Sequence, residues 1–170
     1  MSPYELGSNW RYKDDDLVPG RCVVFDIDGV LSDAVGRQHF IEQGRGDWNS
    51  FFEACGDDPV IDEIERLLEL LAPDLQIVLL TGRPLRVRPQ TLAWLERYGL
   101  RWDLLIMRDW GDYSYVTEYK KGVVDELLDK GFEILLAWKT TRRTMRCTSP
   151  RESPASTSTR ATTSSPIPLR

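Results

Sequence analysis

The residues best placed to do chemistry are two aspartates one residue apart, Asp26 and Asp28, in the run Val23-Val24-Phe25-Asp26-Ile27-Asp28-Gly29-Val30-Leu31-Ser32-Asp33. They follow directly on a short apolar stretch, so a buried strand should end where the carboxylates begin, and strand alternation would point both to the same side of the chain. Burying two anions together is costly unless a cation or shared protons compensate, so the spacing suggests Mg2+ or proton sharing. The purely structural reading is an acidic strand-end turn closed by Gly29. A second constellation, Leu79-Leu80-Thr81-Gly82-Arg83-Pro84, sets a hydroxyl and a flexible glycine just past another apolar run. Thr81 and the backbone N–H groups beside it can there hold a phosphate oxygen. Thr-Gly is common in ordinary turns, and this segment takes its meaning from the acidic pair upstream.

The elements that must position these groups are legible as alternating strands and helices. Cys22 to Phe25 is a short apolar run after Pro19-Gly20, and Ile61, Ile64, Leu67, Leu68 and Leu71 recur at helical spacing after Pro59. Gln76 to Leu80 then reads as strand, Gln90 to Tyr98 as a helix closed by Gly99, Leu104 to Met107 as strand, Val116 to Leu128 as a helix closed by Gly131, and Phe132 to Ala137 as strand. This order implies an α/β fold, a Rossmann-like three-layer sandwich with a parallel sheet covered on both faces and the site at the carboxyl ends of the strands. Between the first strand and the first long helix, residues 34–58 hold His39, Phe40, Trp48, Phe51 and Phe52 without a clear period. They read either as a small cap insertion over the site or as aromatics packed on the sheet edge. There is no internal repeat, and no GxxxxGK glycine loop, which argues against a kinase half on this chain.

The segment from Phe25 to Asp33 resembles the first motif of the haloacid dehalogenase (HAD) superfamily of phosphotransferases, an apolar strand followed by DxDG and a further acid. Thr81 occupies the Ser/Thr position of that superfamily's second motif. The resemblance implies that Asp26 takes the phosphoryl group as an aspartyl-phosphate, while Asp28 protonates the leaving oxygen and then activates the hydrolytic water. It further implies Mg2+ held by Asp26 and the backbone carbonyl of Asp28, and a fixed lysine against the crowded negative charge. Lys120 and Lys121 are both candidates. Tyr119-Lys120 followed by Val123-Val124 is similar to the superfamily's aromatic-Lys-x-x-apolar-apolar pattern and favours Lys120. Gly29, Gly82, Arg83 and Arg108 would contact substrate.

A narrower resemblance covers much of residues 21–138. Thr81-Gly82-Arg83-Pro84, a helix with Thr91 and Trp94-Leu95, then Leu105-Ile106-Met107-Arg108 and Gly111-Asp112-Tyr113 look like the phosphatase domain of bacteriophage and bacterial polynucleotide kinase/phosphatases. Those enzymes remove 3′-phosphates from nucleic-acid ends. Ser114 stands where those relatives carry arginine, and a small phosphomonoester such as a nucleotide or sugar phosphate remains the other substrate class. Arg83, Arg86, Arg88 and Arg108 have a plain reading as solvated surface.

Charge divides the chain. Of its 170 residues, 1–138 carry 26 acidic and 15 basic side chains, and 139–170 carry one acidic and seven basic. So acidic a domain is not built for extended nucleic-acid binding. The last 32 residues hold fourteen Ser or Thr, four Pro and six apolar side chains, too few to offset the entropy of ordering them. The expected organisation is thus an N-terminal extension over 1–20, a phosphatase-type domain over 21–137 with its cap at about 34–58, and a tail over 138–170. Three cysteines with no CxxC give neither a disulfide framework nor a zinc site, and no segment reads as a signal peptide or membrane span. A cytoplasmic protein with no membrane contact is the expectation, and nothing points to a protein partner.

The superfamily's fourth motif, further acids after the last strand, is missing. Trp138-Lys139-Thr140-Thr141-Arg142-Arg143 stands in its place, a cationic stretch ill suited to Mg2+ unless Asp109 or Asp112 substitutes. The genetic code supplies a further reading. Shifted by one base from Ala137–Trp138, the codons can spell Val-Glu-Asp-Asp-Pro-x-Asn, because Trp followed by Lys then forces Glu and Lys followed by Thr permits only Asn or Asp. The tail is thus either genuine or translated out of frame. Two alternatives stand beside the phosphatase reading: a catalytically impaired HAD-like protein that lacks the last acidic motif, or a module that binds nucleic-acid ends.

Overall fold

The computed structural model describes residues 8–42, 46–109, 111, 112, 114–141 and 144–148. Most of the tail, and Trp110 and Tyr113, lie outside the described residues. Six strands form one sheet in the order β1-β4-β3-β2-β5-β6: β1 Trp10–Tyr12, β2 Arg21–Phe25, β3 Gln76–Pro84, β4 Leu104–Arg108, β5 Glu133–Thr141 and β6 Thr144–Thr148. The four central strands run parallel, and β1 and β6 close the edges antiparallel.

Alternation along β2 sorts its side chains to two cores, as period-2 geometry requires. Val23 and Phe25 join Ile77, Leu79 and Leu105 beneath α3 (Asp62–Leu70) and α4 (Arg88–Arg97), where Ile64, Leu68, Trp94 and Leu95 are buried. Cys22 and Val24 join Val78, Leu80, Leu104 and Ile106 beneath α5 (Val116–Asp129), which contributes Tyr119, Val123 and Leu127. The result is the expected three-layer α/β sandwich. Helix α4 ends at Gly99, whose φ of +61° only glycine adopts without strain, and the turn after α5 does the same at Gly131 with φ +93°.

Several elements differ from expectation, among them β1, which joins the sheet from a stretch expected only as an extension. β3 continues through Thr81-Gly82-Arg83-Pro84, so the second constellation is itself strand, with a register shift against β4 between Leu80 and Pro84. β5 extends past Ala137 to Thr141, its Trp138 ring stacked on Phe25 at 6.2 Å between centroids. Its outer edge pairs with β6, from Ala137↔Thr148 to Thr141↔Thr144, a stretch for which no element was expected. Main-chain pairing onto an existing strand edge asks little of side-chain type. The 34–58 segment folds as short pieces: a 3-10 turn Ala34–Arg37, α1 (His39–Glu42), α2 (Trp48–Glu53) and a 3-10 turn Ala54–Asp57.

Candidate active site

β2 ends at Phe25, so the acidic pair lies beyond the strand, and the expectation that alternation aims both carboxylates one way is corrected. Asp26 N–H donates to the Trp138 carbonyl at 2.9 Å, continuing the β2–β5 pairing for one residue. The chain then turns over the Ile27 carbonyl, which accepts N–H bonds from Val30, Leu31 and Ser32. The two carboxylates consequently meet different partners.

Asp26 is buried. Lys120 Nζ lies 2.5 Å from its Oδ2, and its Oδ1 accepts the Ile27 N–H at 2.9 Å. Burial pushes its pKa up, more than Lys120 and the Ile27 N–H pull it down, and the Asp28 charge adds to the rise. Lys120 reaches it from the first turns of α5, while Lys121, one residue on, is exposed.

Asp28 sits in a network of buried charge. Arg37 Nη2 at 2.5 Å and Arg83 Nε at 2.9 Å and Nη2 at 2.7 Å all engage its Oδ1. Behind it, Asp58 accepts from Arg37 Nε at 2.9 and 3.0 Å and from Arg37 Nη2 at 2.8 Å, and lies 3.3 Å from Arg83 Nη2. Ser32 Oγ bonds to Asp58 and accepts from Arg83. The four charges cancel, which is the condition for carrying ions inside a core. Desolvation alone would raise the Asp28 pKa, but the two guanidiniums outweigh it and hold the carboxyl below its usual range. Arg83 is fully buried, which corrects its reading as solvated surface: its guanidinium bonds to Asp28, Asp58, Ser32 and Thr91. Arg37 and Asp58 were missed in sequence. Arg37 looks like any charge in an aperiodic insertion, and only the fold brings it to Asp28.

Thr81 is buried on β3, its hydroxyl accepting the Arg83 N–H at 3.2 Å. Gly29 adopts φ +76° and gives its N–H to the Ser32 carbonyl at 2.8 Å, so it shapes the turn. Gly82 and Arg108 lie instead on a groove of about 870 Å3 whose walls include Trp48 and Phe52 of α2, Arg86, Asp112 and Tyr115. Asp109 and Asp112 are also on that groove, and among the described residues no three His, Cys, Asp or Glu side chains converge as a metal cluster. A Mg2+ ion would therefore find the Asp26 carboxylate and the Asp28 backbone carbonyl. That partial set suits an ion that commonly takes one or two carboxylates and completes its shell with water and phosphate oxygens. Asp26 is a fitting donor, since a buried carboxylate still pushed up beside Lys120 gains from a second cation.

A family model described as "Polynucleotide kinase PNKP phosphatase domain" matches residues 20–146. Two solved structures are similar, each with 26% identity over 75% of this chain and a TM-score of 0.56: one titled "Structure of Pnkp1/Rnl/Hen1 complex", the other "Structure of the Pnkp1/Rnl/Hen1 RNA repair complex". The match spans 40% and 38% of those chains, so this chain corresponds to less than half of each. No curated protein matches.

Proposed function

The chain belongs to the phosphatase-domain family of polynucleotide kinase PNKP, a branch of the HAD phosphatases, and from that premise we propose that it hydrolyses a phosphomonoester through Asp26, with 3′-phosphorylated nucleic-acid ends as substrate. The observation that carries the proposal is the buried Asp26–Lys120 pair at the carboxyl end of the central strand β2. An Asp26 oxygen attacks phosphorus in line, the ester P–O bond breaks, and Asp28 gives the departing oxygen its proton. Water then attacks the aspartyl-phosphate, Asp28 takes the water's proton, and the Asp26–phosphorus bond breaks to release phosphate. Lys120, Thr81 and the backbone near Gly82 stabilise the phosphoryl oxygens. Mg2+, held by Asp26 and the Asp28 carbonyl, would add positive charge where nucleophile and phosphate crowd. The likeness to chains titled as an RNA repair complex supports nucleic-acid ends over sugar phosphates as substrate.

Asp26→Asn is the direct test: turnover of p-nitrophenyl phosphate by the unaltered chain, lost in the variant, supports the proposal, and retained turnover removes Asp26 from the role. A second reading, an impaired phosphatase, is favoured by the missing third acid among the described residues. It predicts no turnover at any Mg2+ concentration.

A further inference from the structure

The groove beside the phosphoryl site has a composition that neither the nucleophile nor the lysine explains. Asp26, Asp28, Thr81 and Lys120 are not among its lining residues, but it borders their elements: Gly82 follows Thr81 on β3, and Val116 opens the helix that carries Lys120. At about 870 Å3 it far exceeds what a phosphate needs and falls within the range of small-molecule sites. Its walls present aromatic surface to solvent. Trp48 is 51% exposed although it packs on Phe51 and Phe52 at 5.6 and 6.0 Å between ring centroids, and Tyr115 opposite is 79% exposed. Large aromatics left open at the mouth of a cavity offer flat faces on which a planar group can stack.

The charges on the same walls limit what that is. Glu53, Asp109 and Asp112 outnumber Arg86 and Arg108. The arginines are moreover engaged: Arg86 pairs with Glu53 and donates to Asn49 Oδ1 at 3.1 Å, and Arg108 bonds to the Ser114 carbonyl and stands 3.8 Å from Asp112. A track for a polyanionic backbone needs uncommitted basic groups along its length. An aromatic platform needs none, because every nucleobase has a π-face.

We infer that this groove holds the single nucleobase adjoining the scissile phosphate, stacked on Trp48, so that the protein recognises one terminal nucleotide rather than a run of backbone. The inference rests on the phosphatase reading for the position of the phosphate and specifies its substrate. Trp48 is then the specificity-determining residue, contributed by the insertion between β2 and α3.

Binding to the full chain by isothermal titration calorimetry tests it without requiring turnover. The ligands are deoxyadenosine 3′-monophosphate, 2-deoxyribose 3-phosphate, which lacks the base, and a short 3′-phosphorylated oligonucleotide. The base-bearing mononucleotide should bind about ten-fold more tightly than the base-free sugar phosphate. Trp48→Ala should erase that ratio, and Trp48→Phe should restore most of it. The oligonucleotide should bind within a few-fold of the mononucleotide, with little change between roughly 50 and 200 mM salt. Equal affinity with and without the base, a ratio unmoved in Trp48→Ala, no binding by any ligand, or an oligonucleotide affinity that falls steeply with salt would each overturn the inference. Hydrolysis of p-nitrophenyl phosphate by the same samples reports separately on the phosphatase reading: turnover without a base preference defeats this inference alone, and a base preference without turnover defeats the hydrolytic reading alone.

Discussion

At the scale of single residues, Asp26 and Asp28 have the same side chain and opposite environments. Burial raises the Asp26 pKa, so its charge costs folding stability above the ordinary carboxylate value; Asp26→Asn removes that cost and should abolish turnover without lowering the melting temperature. Asp28 is shifted the other way, its carboxyl held down by Arg83 and Arg37. A carboxylate with a depressed folded pKa contributes stability that is present above the unfolded value of 3.8 and lost as pH falls through the folded one. Acid titration followed by circular dichroism should therefore show this share disappearing only below about pH 4, and the loss should be absent in Asp28→Asn. Asp28→Asn should slow alkyl phosphates at least ten-fold more than p-nitrophenyl phosphate, whose leaving group needs no proton. Lys120→Ala should cost kcat about 100-fold or more; a loss seen in Lys121→Ala instead would reassign the role.

Among the elements, the insertion between β2 and α3 proves structural as well as local to the site. Its Arg37 lies with its guanidinium 4.1 Å from the centre of the Phe51 ring and bridges Asp28 to Asp58, tying the acidic turn to the insertion. Removing one member of such a buried set leaves charge uncompensated. Arg37→Ala should destabilise the fold by about 3–5 kcal/mol, measured by urea denaturation, far more than a surface arginine would. The sequence showed this insertion only as aromatics without a period. Its short helices are too brief for periodicity to register, and Arg37 is held by pairing with Asp28 and Asp58 and by stacking on Phe51, contacts that no local spacing announces.

For the whole molecule, the sheet places the motifs of β2 and β3 and the lysine of α5 around one end of the central strands, where doubly covered parallel sheets form their sites. The remaining question of composition is the segment after Ala137. We propose that it is translated out of frame. Sequencing the gene should reveal an acidic pair in the shifted frame directly after codon 137, and stop codons there would end the idea. A frame-restored chain should then show a larger Mg2+-dependent rise in melting temperature than this one. The sequence by itself determined the α/β alternation, the identity of Asp26, Thr81 and Lys120 as candidates, and the family, because strand ends and short motifs are local properties of the chain. Only the tertiary structure decided that Arg83 and Arg37 are buried clamps on Asp28, that Asp58 backs them, and that Trp48 and Tyr115 face one groove. Those facts depend on which surfaces are removed from water together, and no local spacing encodes that.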